Sequence, residues 1–254
     1  MYKRQQLARL RGGAEVFYTL QGEGPSTGRP SVFVRASLCN LHCVWCDTDY
    51  TWNWRGTPFP HARDGEPGYR KFDRAEEIVD LEPGALARAV AAFPCRDVVL
   101  TGGEPLLQQE GWLALVRALR ARDPGYRFEV ETNATLLPEP ELEGALERIV
   151  ASPKLANAGM PARLRERPEV LEALARNPKT CFKLVLSRES ELAEVLALTG
   201  RYRIEPERVY LMPEGTRPEE LRARGRWLAE LCKAHGFRYS DRLHVQLYGD
   251  VRGV

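Results

Sequence analysis

Three closely spaced cysteines are the residues whose type and spacing most directly indicate chemistry. Cys39, Cys43 and Cys46 form a C-x3-C-x2-C pattern in the segment CNLHCVWC. Thiolates bind soft metals, so a short loop with this spacing can bring three sulfurs to zinc or to an iron–sulfur cluster. A structural zinc ion takes four protein ligands, and a [4Fe–4S] cluster normally takes one cysteine per iron. Three cysteines therefore indicate a cluster with one iron open to a small molecule.

The remaining cysteines and a nearby histidine define the alternative. Cys95 and Cys181 lie at or before the start of predicted strands, opposite the cluster loop, and Cys232 falls on an apolar helix face. We interpret these three as buried core thiols, since free cysteine is among the most buried residue types. His42 lies between the cluster cysteines and would complete a three-cysteine, one-histidine zinc site. A non-catalytic zinc module is thus the competing class, and metal analysis distinguishes zinc from iron with sulfide.

Strand-like and helix-like runs alternate along most of the chain, which favours an α/β fold with a mostly parallel sheet. The predicted strands cover residues 15–20, 31–36, 97–101, 127–131, 148–151, 181–186, 208–212 and 243–247. The predicted helices cover residues 83–93, 106–122, 168–175, 190–198 and 218–235. Parallel sheets place their ligands at the carboxyl ends of the strands, and each unusual motif of this sequence follows a strand.

Length and composition fit one α/β domain spanning residues 1–254. The chain is 43% apolar and 28% charged, and 37 basic against 35 acidic residues give a net charge of +2. This weak charge predicts no nucleic-acid partner and no anionic membrane surface. No stretch approaches the roughly 20 apolar residues of a membrane span, and the basic start lacks the apolar region of a secretory signal. We therefore expect a soluble cytoplasmic protein.

Residues 49–72 differ from the rest of the chain. The segment reads DYTWNWRGTPFPHARDGEPGYRKF and is rich in proline, glycine, arginine and aromatic residues. Long connections of this kind in compact domains are usually functional or disordered. We predict an irregular insertion after the cluster loop that acts as a lid over the site, and a mobile surface excursion is the alternative.

A second motif strengthens the iron–sulfur interpretation. The segment LTGGEP at residues 100–105 follows a predicted strand and opens a helix, and Trp45 precedes the last cluster cysteine. Together with the cysteines, these features resemble the radical S-adenosylmethionine superfamily. The resemblance implies that the GGEP segment binds the methionyl amino group. Glycines permit close backbone approach, and the Glu104 carboxylate can accept charge-assisted hydrogen bonds from an ammonium. By itself, the segment also fits a glycine-rich strand-to-helix turn.

Further motifs along the whole chain resemble one family, the 7-carboxy-7-deazaguanine synthases. They are FYTLQGEGP at 17–25, FVR at 33–35, CDT at 46–48, ETN at 131–133, SPK at 152–154, FK at 182–183 and MPEG at 212–215. Each motif alone is weakly specific, whereas the combination of LQGEGP, CDT and SPK is highly specific.

The family resemblance implies a fold and an activity. The expected fold is a partial (β/α) barrel with about six core parallel strands and reduced helix content, usually in a homodimer. The implied cofactors are a [4Fe–4S] cluster, S-adenosylmethionine and Mg²⁺, with a flavodoxin- or ferredoxin-like electron donor. The implied reaction converts 6-carboxy-5,6,7,8-tetrahydropterin to 7-carboxy-7-deazaguanine with loss of ammonia. This reaction belongs to queuosine and 7-deazapurine biosynthesis, a tRNA modification pathway.

The resemblance also assigns site residues by motif. The cysteines Cys39, Cys43 and Cys46 are implied to hold the cluster and carry the radical chemistry. The implied S-adenosylmethionine contacts are Trp45, Cys46, Asp47, Gly103, Glu104, Asn133, Ser152, Pro153, Lys154, Met212, Pro213, Glu214 and Gly215. Thr48 is the implied Mg²⁺ ligand, because a hydroxyl oxygen suits this hard ion. The implied substrate contacts are Leu20, Gln21, Gly22, Glu23, Arg35, Thr101 and the terminal residue Val254.

The sequence departs from the family pattern at two positions. Ala134 follows the ETN motif where the family commonly has glycine, so the backbone there is expected to be less permissive. Tyr248 stands where some members carry histidine, and we expect at most a minor role for it. A glycyl-radical activase is the alternative enzyme, but the LQGEGP and CDT motifs argue against it.

Overall fold

The computed structural model describes residues 4–254, which fold around one large sheet. Its strands are β1 (Gln5–Leu10), β2 (Gly13–Ala14), β3 (Val16–Leu20), β4 (Pro30–Ala36), β5 (Ile78–Leu81), β6 (Asp97–Gly102), β7 (Arg127–Thr132), β8 (Arg148–Ala151), β9 (Thr180–Leu186), β10 (Val209–Pro213) and β11 (Arg238–Tyr239). Its helices are α1 (Arg74–Glu77), α2 (Pro83–Ala91), α3 (Gln109–Arg122), α4 (Pro140–Ala145), α5 (Ala162–Arg165), α6 (Pro168–Arg176), α7 (Leu192–Tyr202), α8 (Pro218–His235) and α9 (Leu243–Tyr248).

Six parallel strands form the centre of the sheet and confirm the predicted partial barrel. They run in the order β4-β6-β7-β8-β9-β10, each paired in parallel with the next. β11 continues the parallel run beyond β10, whereas β1 and β3 pair antiparallel with β4. The path ends at β2 and β11, so the sheet remains open. The carboxyl ends of all six central strands therefore meet at one edge.

The two faces of the central strands differ in chemistry. On β4, Val32, Val34 and Ala36 are fully buried in the main apolar core. The alternate residues Phe33 and Arg35 face the opposite side, where they line a cavity. Because successive side chains of a strand point to opposite faces, this alternation separates an apolar layer under the helices from a polar interior of the barrel.

The connection from β4 to β6 carries the cluster loop and the 49–72 segment. Residues 52–71 form no helix or regular strand and are closed by an isolated bridge between Trp54 and Phe72. The side chain of Asp49 accepts a hydrogen bond from Tyr69, and the ring of Tyr69 stacks on that of His61 at 5.6 Å. His61 Nε2 in turn lies 2.9 Å from the backbone oxygen of Cys46. The segment thus packs directly on the cluster loop.

Residues 243–247 were predicted to form a strand. This prediction is wrong, because they lie in the helix α9. Two bonds to the backbone oxygen of Arg242, from Val245 and Gln246, begin that helix. The position beside β10 is occupied by β11 instead. An apolar–polar alternation over five residues fits either structure, so only the pairing partner decides between them.

Other differences concern the start of the chain and its short elements. β1 pairs with β4 and β5, although neither β1 nor β5 was predicted. The single domain predicted for residues 1–254 includes residues 1–3, which lie outside the described residues. Cys95 is only partly buried, contrary to the expected core position, whereas Cys181 and Cys232 are buried. Among the described helices, none is long and apolar enough to cross a membrane.

Candidate active site

One cavity opens at the carboxyl ends of the six central strands. It encloses about 1320 Å³ of space between protein atoms, part of it open to solvent. Most of the predicted site residues line it: Leu20, Gln21, Gly22, Glu23, Arg35, Cys39, Cys43, Trp45, Cys46, Asp47, Thr48, Thr101, Gly103, Asn133, Ser152, Lys154, Met212, Pro213, Glu214, Gly215 and Val254. Predicted site residues that are up to 234 positions apart in sequence, Leu20 and Val254, therefore line one space.

The cluster loop places the three cysteines on one wall of this cavity. The backbone N–H of Leu41 donates to Cys39 Sγ at 3.4 Å, and Thr48 Oγ1 lies 3.5 Å from Cys46 Sγ. Cys43 is buried with Leu41 in a small apolar cluster against residues 158–160. Burial raises the pKa of the Cys43 thiol to about 12, because the charged thiolate is disfavoured away from water. In the absence of metal, these thiols are therefore held protonated.

Two glycines let the β6 turn approach the cluster loop. A Cβ on Gly102 would lie 2.3 Å from the backbone oxygen of Ala36, and one on Gly103 would lie 2.2 Å from that of Leu38. Gly102 also has a φ of +147°, a conformation that side chains disfavour. Backbone N–H groups of Gly103 and Glu104 donate across this contact. Glycine is thus required here to bring the β6 turn against the loop of cysteines.

Lysine and tryptophan complete the wall next to the cysteines. Lys154 Nζ donates to Ser152 Oγ at 2.9 Å and lies 5.5 Å from the ring centre of Trp45, within cation–π range. Asn133 Nδ2 donates to Asn40 Oδ1 at 2.8 Å and lies 3.9 Å from Cys39 Sγ. Polar groups from β7 and β8 therefore surround the cluster loop.

The floor of the barrel carries a network of acids, amides and one lysine. Gln21 Nε2 donates to Glu131 Oε1 at 3.1 Å, and its Oε1 accepts from the backbone of Glu23 at 3.1 Å. Thr101 Oγ1 donates to Glu131 Oε2 at 2.8 Å. Lys183 forms an ion pair with Glu23. Burial acts to raise the pKa of the Glu23 carboxyl, but the charges of Lys183 and its neighbours hold that pKa well below its usual range. Glu23 is thus held ionised, and Gln21, Thr101 and Glu131 are joined by hydrogen bonds.

Arg35 projects into the cavity from β4. Its Nε donates to Glu15 at 2.7 Å, and the residue lines the cavity. The same carboxylate accepts from Arg252 Nη2 at 2.9 Å. The Arg252 guanidinium lies 3.4 Å from the ring centre of Tyr50, which itself donates to Glu15. A cation aimed at the cavity is therefore fixed by a carboxylate behind it.

Comparison with known proteins fixes the family. Residues 34–160 match the family model described as the radical SAM superfamily. A 7-carboxy-7-deazaguanine synthase of Pyrobaculum aerophilum is 38% identical over 94% of this chain and 95% of its own length. One of Halobacterium salinarum is 35% identical over 93% of this chain and 90% of its own length. This chain belongs to the 7-carboxy-7-deazaguanine synthase family.

Solved structures agree with that family membership at the level of the fold. The crystal structure of QueE from Escherichia coli aligns with a TM-score of 0.64 at 23% identity and covers 95% of each chain. Streptococcus suis SuiB bound to precursor peptide SuiA aligns with a TM-score of 0.51 at 12% identity, over 82% of this chain and 47% of SuiB. At these identities the similarity shows the open parallel barrel alone.

The side chains fit the iron–sulfur cluster expected of a 7-carboxy-7-deazaguanine synthase. All three cysteines of the loop line the cavity, whereas Cys95, Cys181 and Cys232 do not. Trp45 Nε1 is buried beside the loop with no hydrogen-bond partner in the described residues, as expected of a donor that faces a ligand. His42 instead stacks on Phe59 at 3.9 Å, away from the cavity wall. The donor set is therefore three thiols next to open space.

Two residues predicted to bind the cofactor in this synthase family do not reach the cavity. The Glu104 carboxylate is fully buried and accepts from Leu106 N at 2.9 Å, Thr132 Oγ1 at 2.9 Å and Asn133 N at 2.7 Å. Burial raises its pKa, because these bonds only partly offset desolvation. Glu104 therefore ties the β6 turn to β7 and caps a short helix. Pro153 is likewise absent from the cavity wall.

Several wall residues received no role from the sequence. Lys183 and Glu131 lie within recognised motifs of the synthase, yet only the barrel geometry shows that they face inward. Arg242 and His244 line the cavity as well, whereas Tyr248 is 46% exposed on α9. The histidine that the C-terminal segment contributes to the cavity is therefore His244, four residues before Tyr248. A signal was present, since a histidine stands in the same C-terminal segment, four residues before Tyr248.

Proposed function

We propose that this protein converts 6-carboxy-5,6,7,8-tetrahydropterin to 7-carboxy-7-deazaguanine with release of ammonia, a step of queuosine and 7-deazapurine biosynthesis. The observation that carries the proposal is a single cavity with two chemically distinct walls. One wall holds the three cysteines and their glycine-lined approach, and the other holds Arg35 and the acid–amide floor. A radical generator and a polar heterocycle thus share one space, as ring contraction requires.

The cysteine wall is the proposed cofactor site. Cys39, Cys43 and Cys46 would hold the [4Fe–4S] cluster, leaving one iron for S-adenosylmethionine. When bound and reduced, the cluster and S-adenosylmethionine would supply radical chemistry for hydrogen removal at C6 of the pterin. Around it, the Trp45 indole lines the cavity and Lys154 places a cation beside that ring. These groups bind and orient the cofactor, which performs the chemistry itself.

Further cofactor contacts are proposed from the remaining wall residues. Ser152, Lys154, Asn133 and Gly103 line the cavity together with the cysteine loop, and so do the last residues of β10 and those that follow it. The latter are Met212, Pro213, Glu214 and Gly215. An extended backbone beside an apolar Met side chain suits the flat adenine, which leaves the charged methionyl end near the cysteines.

The floor of the barrel is the proposed pterin site. Arg35 has a planar fork of donors that matches a carboxylate, and its bond to Glu15 keeps that fork directed at the cavity. Glu23 and Glu131 supply carboxylate acceptors for ring N–H and amino groups. Gln21 and Thr101 already donate to Glu131. We propose that these two bonds hold the Glu131 carboxylate in place. The remaining lone pairs of Gln21 and Thr101, and the backbone of Leu20 and Gly22, would then face the ligand.

Thr48 is the proposed protein ligand of Mg²⁺. It lines the cavity between the cysteine wall and the floor, where a substrate carboxylate would supply further oxygens. Mg²⁺ commonly keeps several waters and binds through few protein groups. Val254 also lines the cavity and is proposed as a further substrate contact.

The expected partners remain proposals. Reduction of an iron–sulfur cluster needs a one-electron donor, for which a flavodoxin- or ferredoxin-like protein is suited. A homodimer and a cytoplasmic location are proposed from the family resemblance. Oxygen-sensitive chemistry and three reduced cysteines are consistent with a reducing compartment.

Anaerobic reconstitution tests the function. The protein is loaded with iron and sulfide, then given reductant, S-adenosylmethionine, Mg²⁺ and the carboxytetrahydropterin, and the product is identified by mass. We expect the deazaguanine acid from the wild type and none from Cys43→Ser, with Cys232→Ser as a matched control that retains activity. Release of 5′-deoxyadenosine without the acid would keep the superfamily assignment and overturn the substrate.

A further inference from the structure

Arg242 joins three loops that approach the cavity from different strands. Its Nε donates to Glu23 Oε1 at 3.0 Å, and its Nη1 donates to the backbone oxygen of Gly215 at 2.5 Å. Its Nη2 donates to Asp47 in the cluster loop. The guanidinium thus uses all three nitrogens, one for each loop. The residue is 7% exposed and lies immediately before α9.

The three loops belong to different halves of the site. Asp47 follows the last cluster cysteine, and Gly215 ends the wall after β10, both on the proposed cofactor side. Glu23 lies on the floor, where its other oxygen is paired with Lys183 on β9. In the described structure, Arg242 is therefore the side chain that binds Glu23 and Asp47 together. It spans the boundary between the two ligands.

The chemistry of the Arg242 side chain suits a residue that holds other protein groups in place rather than one that binds the ligands itself. A planar guanidinium offers donors in fixed directions, which an ammonium cannot reproduce. Burying this cation between two carboxylates also makes each partner dependent on the others, since removal of one leaves an unpaired buried charge. His244 Nε2 lies 3.5 Å from Arg242 Nη2, and His244 also lines the cavity.

We propose that Arg242 is a positioning residue that couples cofactor binding to substrate binding. The inference rests on the proposed function of the two walls. When one ligand orders its loop, it also fixes the guanidinium of Arg242, which binds both Asp47 and Glu23. The second ligand then binds to a loop that is already ordered. Coupling of this kind is reciprocal, and allosteric couplings typically amount to about 5–150-fold in affinity.

Binding without turnover measures the coupling directly. The holoenzyme is prepared anaerobically with an oxidised cluster and no reductant, and calorimetry gives the S-adenosylmethionine Kd with and without the carboxytetrahydropterin. We expect the pterin to lower the wild-type Kd at least about fivefold. In Arg242→Lys, which retains the charge but not the fork, that factor falls to about one, while each separate Kd changes less than about threefold. Arg242→Gln serves as the second variant.

A matched variant and a second readout separate positioning from folding. Arg217→Lys changes an exposed arginine that pairs with Glu219 and Glu220 beside the same wall, and its coupling should equal that of the wild type. Under reducing conditions, Arg242→Lys should release more 5′-deoxyadenosine per deazaguanine acid, since the radical forms beside a misplaced substrate. Thermal melts of all variants report their folding.

Distinct results overturn the inference and the function. A wild type that forms product but shows a coupling factor of one contradicts the role of Arg242, whatever the variants do. So does an Arg242→Lys enzyme with wild-type coupling and wild-type release of 5′-deoxyadenosine. If the wild-type protein binds no pterin and forms no deazaguanine acid, the proposed function is overturned. The proposed coupling between the two ligands is then overturned as well, because it rests on that function.

Discussion

At the scale of single residues, Glu15 has the most consequential position behind the site. It is 1% exposed, and its one carboxylate accepts from Arg35 on the cavity wall, Arg252 near the end of the chain and Tyr50. Burial acts to raise its pKa, but the charges of the two arginines and their hydrogen bonds outweigh burial and lower it. The carboxylate therefore stays ionised and holds the proposed substrate-binding cation in place.

Glu15→Gln should destabilise the protein by about 3 kcal/mol at pH 7, the lower end for a broken buried ion pair because Arg252 is partly exposed. Because the folded pKa lies below the unfolded one, the ionised carboxylate contributes its full stability above the unfolded pKa and loses it as pH falls through the folded pKa. The difference between variant and wild type should thus persist from pH 7 to 5 and shrink below about pH 4.5.

Urea denaturation at a series of pH values measures this effect. Glu169→Gln, at an exposed glutamate on α6, is the control and should stay within about 0.5 kcal/mol of the wild type throughout. A Glu15→Gln variant as stable as the wild type at pH 7 would show that the carboxylate does not hold the two arginines.

At the scale of elements, close contacts between loops and helices set the shape of the site. The backbone oxygen of Gly22 accepts from Leu243 N at 2.9 Å, which docks α9 onto the substrate-side loop. A Cβ on Gly22 would lie 2.1 Å from His244 Nδ1 and 3.1 Å from the backbone nitrogen of that residue. Glycine is needed at this position because α9 brings His244 directly against the loop.

Gly22→Ala should therefore displace His244 and α9 from the cavity. We expect kcat/KM for the pterin to fall roughly 10–100-fold, the cost of misplacing a binding group by about an ångström. The S-adenosylmethionine Kd should remain unchanged. Gly144→Ala is the control, because no atom lies within 4 Å of a Cβ there. Equal kinetics for Gly22→Ala and the wild type would contradict the docking of α9.

Helix ends supply a prediction on stability. Arg203 terminates α7 with a φ of +52°, the left-handed conformation in which glycine is favoured. Its side chain is exposed. Arg203→Gly should raise the free energy of unfolding by about 1 kcal/mol, because the left-handed conformation costs a non-glycine residue about that much.

The opposite result is expected inside a helix. Arg222→Gly, at an exposed position within α8, should lower the free energy of unfolding by roughly 0.5–1 kcal/mol through loss of helix propensity. Chemical denaturation of both variants provides the comparison. A destabilised Arg203→Gly would show that its side chain contributes more than its backbone strain costs.

At the scale of the whole molecule, the C-terminal residues close the structure on its first strands. Arg252 donates to the backbone oxygen of Arg9 at 2.5 Å, to Glu15 and to Glu77 at 3.2 Å. These contacts span up to 243 residues of sequence. They place the neighbouring Val254 at the cavity, so the start of the chain helps to build the site.

Arg252→Met should release this closure while the parallel sheet stays folded. Hydrogen exchange followed by mass spectrometry should show loss of protection in residues 249–252 and no change in β6, β7 and β8. KM for the pterin should rise and the S-adenosylmethionine Kd should stay constant. Arg148→Met, at an arginine 3.8 Å from Glu129 elsewhere in the barrel, is the comparison variant. Unchanged protection in residues 249–252 would contradict the closure.

The six central strands, the loop of cysteines and most of the cavity wall were predictable from the amino-acid sequence. These features are local: alternating apolar residues, cysteine spacing and glycine turns act over a few neighbours. Ala134 stands where the family commonly has glycine, and it adopts the left-handed φ of +63° that glycine favours, although a less permissive backbone was expected there. Parallel strands then bring their carboxyl ends to one edge, which fixes where the motifs meet.

Which polar side chains line the cavity depends on tertiary contacts. Glu104 turns inward to bonds on β7, Arg242 reaches three loops, and residues 243–248 form a helix because β11 already pairs with β10. Each of these outcomes depends on a partner far away in sequence. A buried polar group takes whichever partner satisfies it in the folded chain, and local spacing carries no information about that partner.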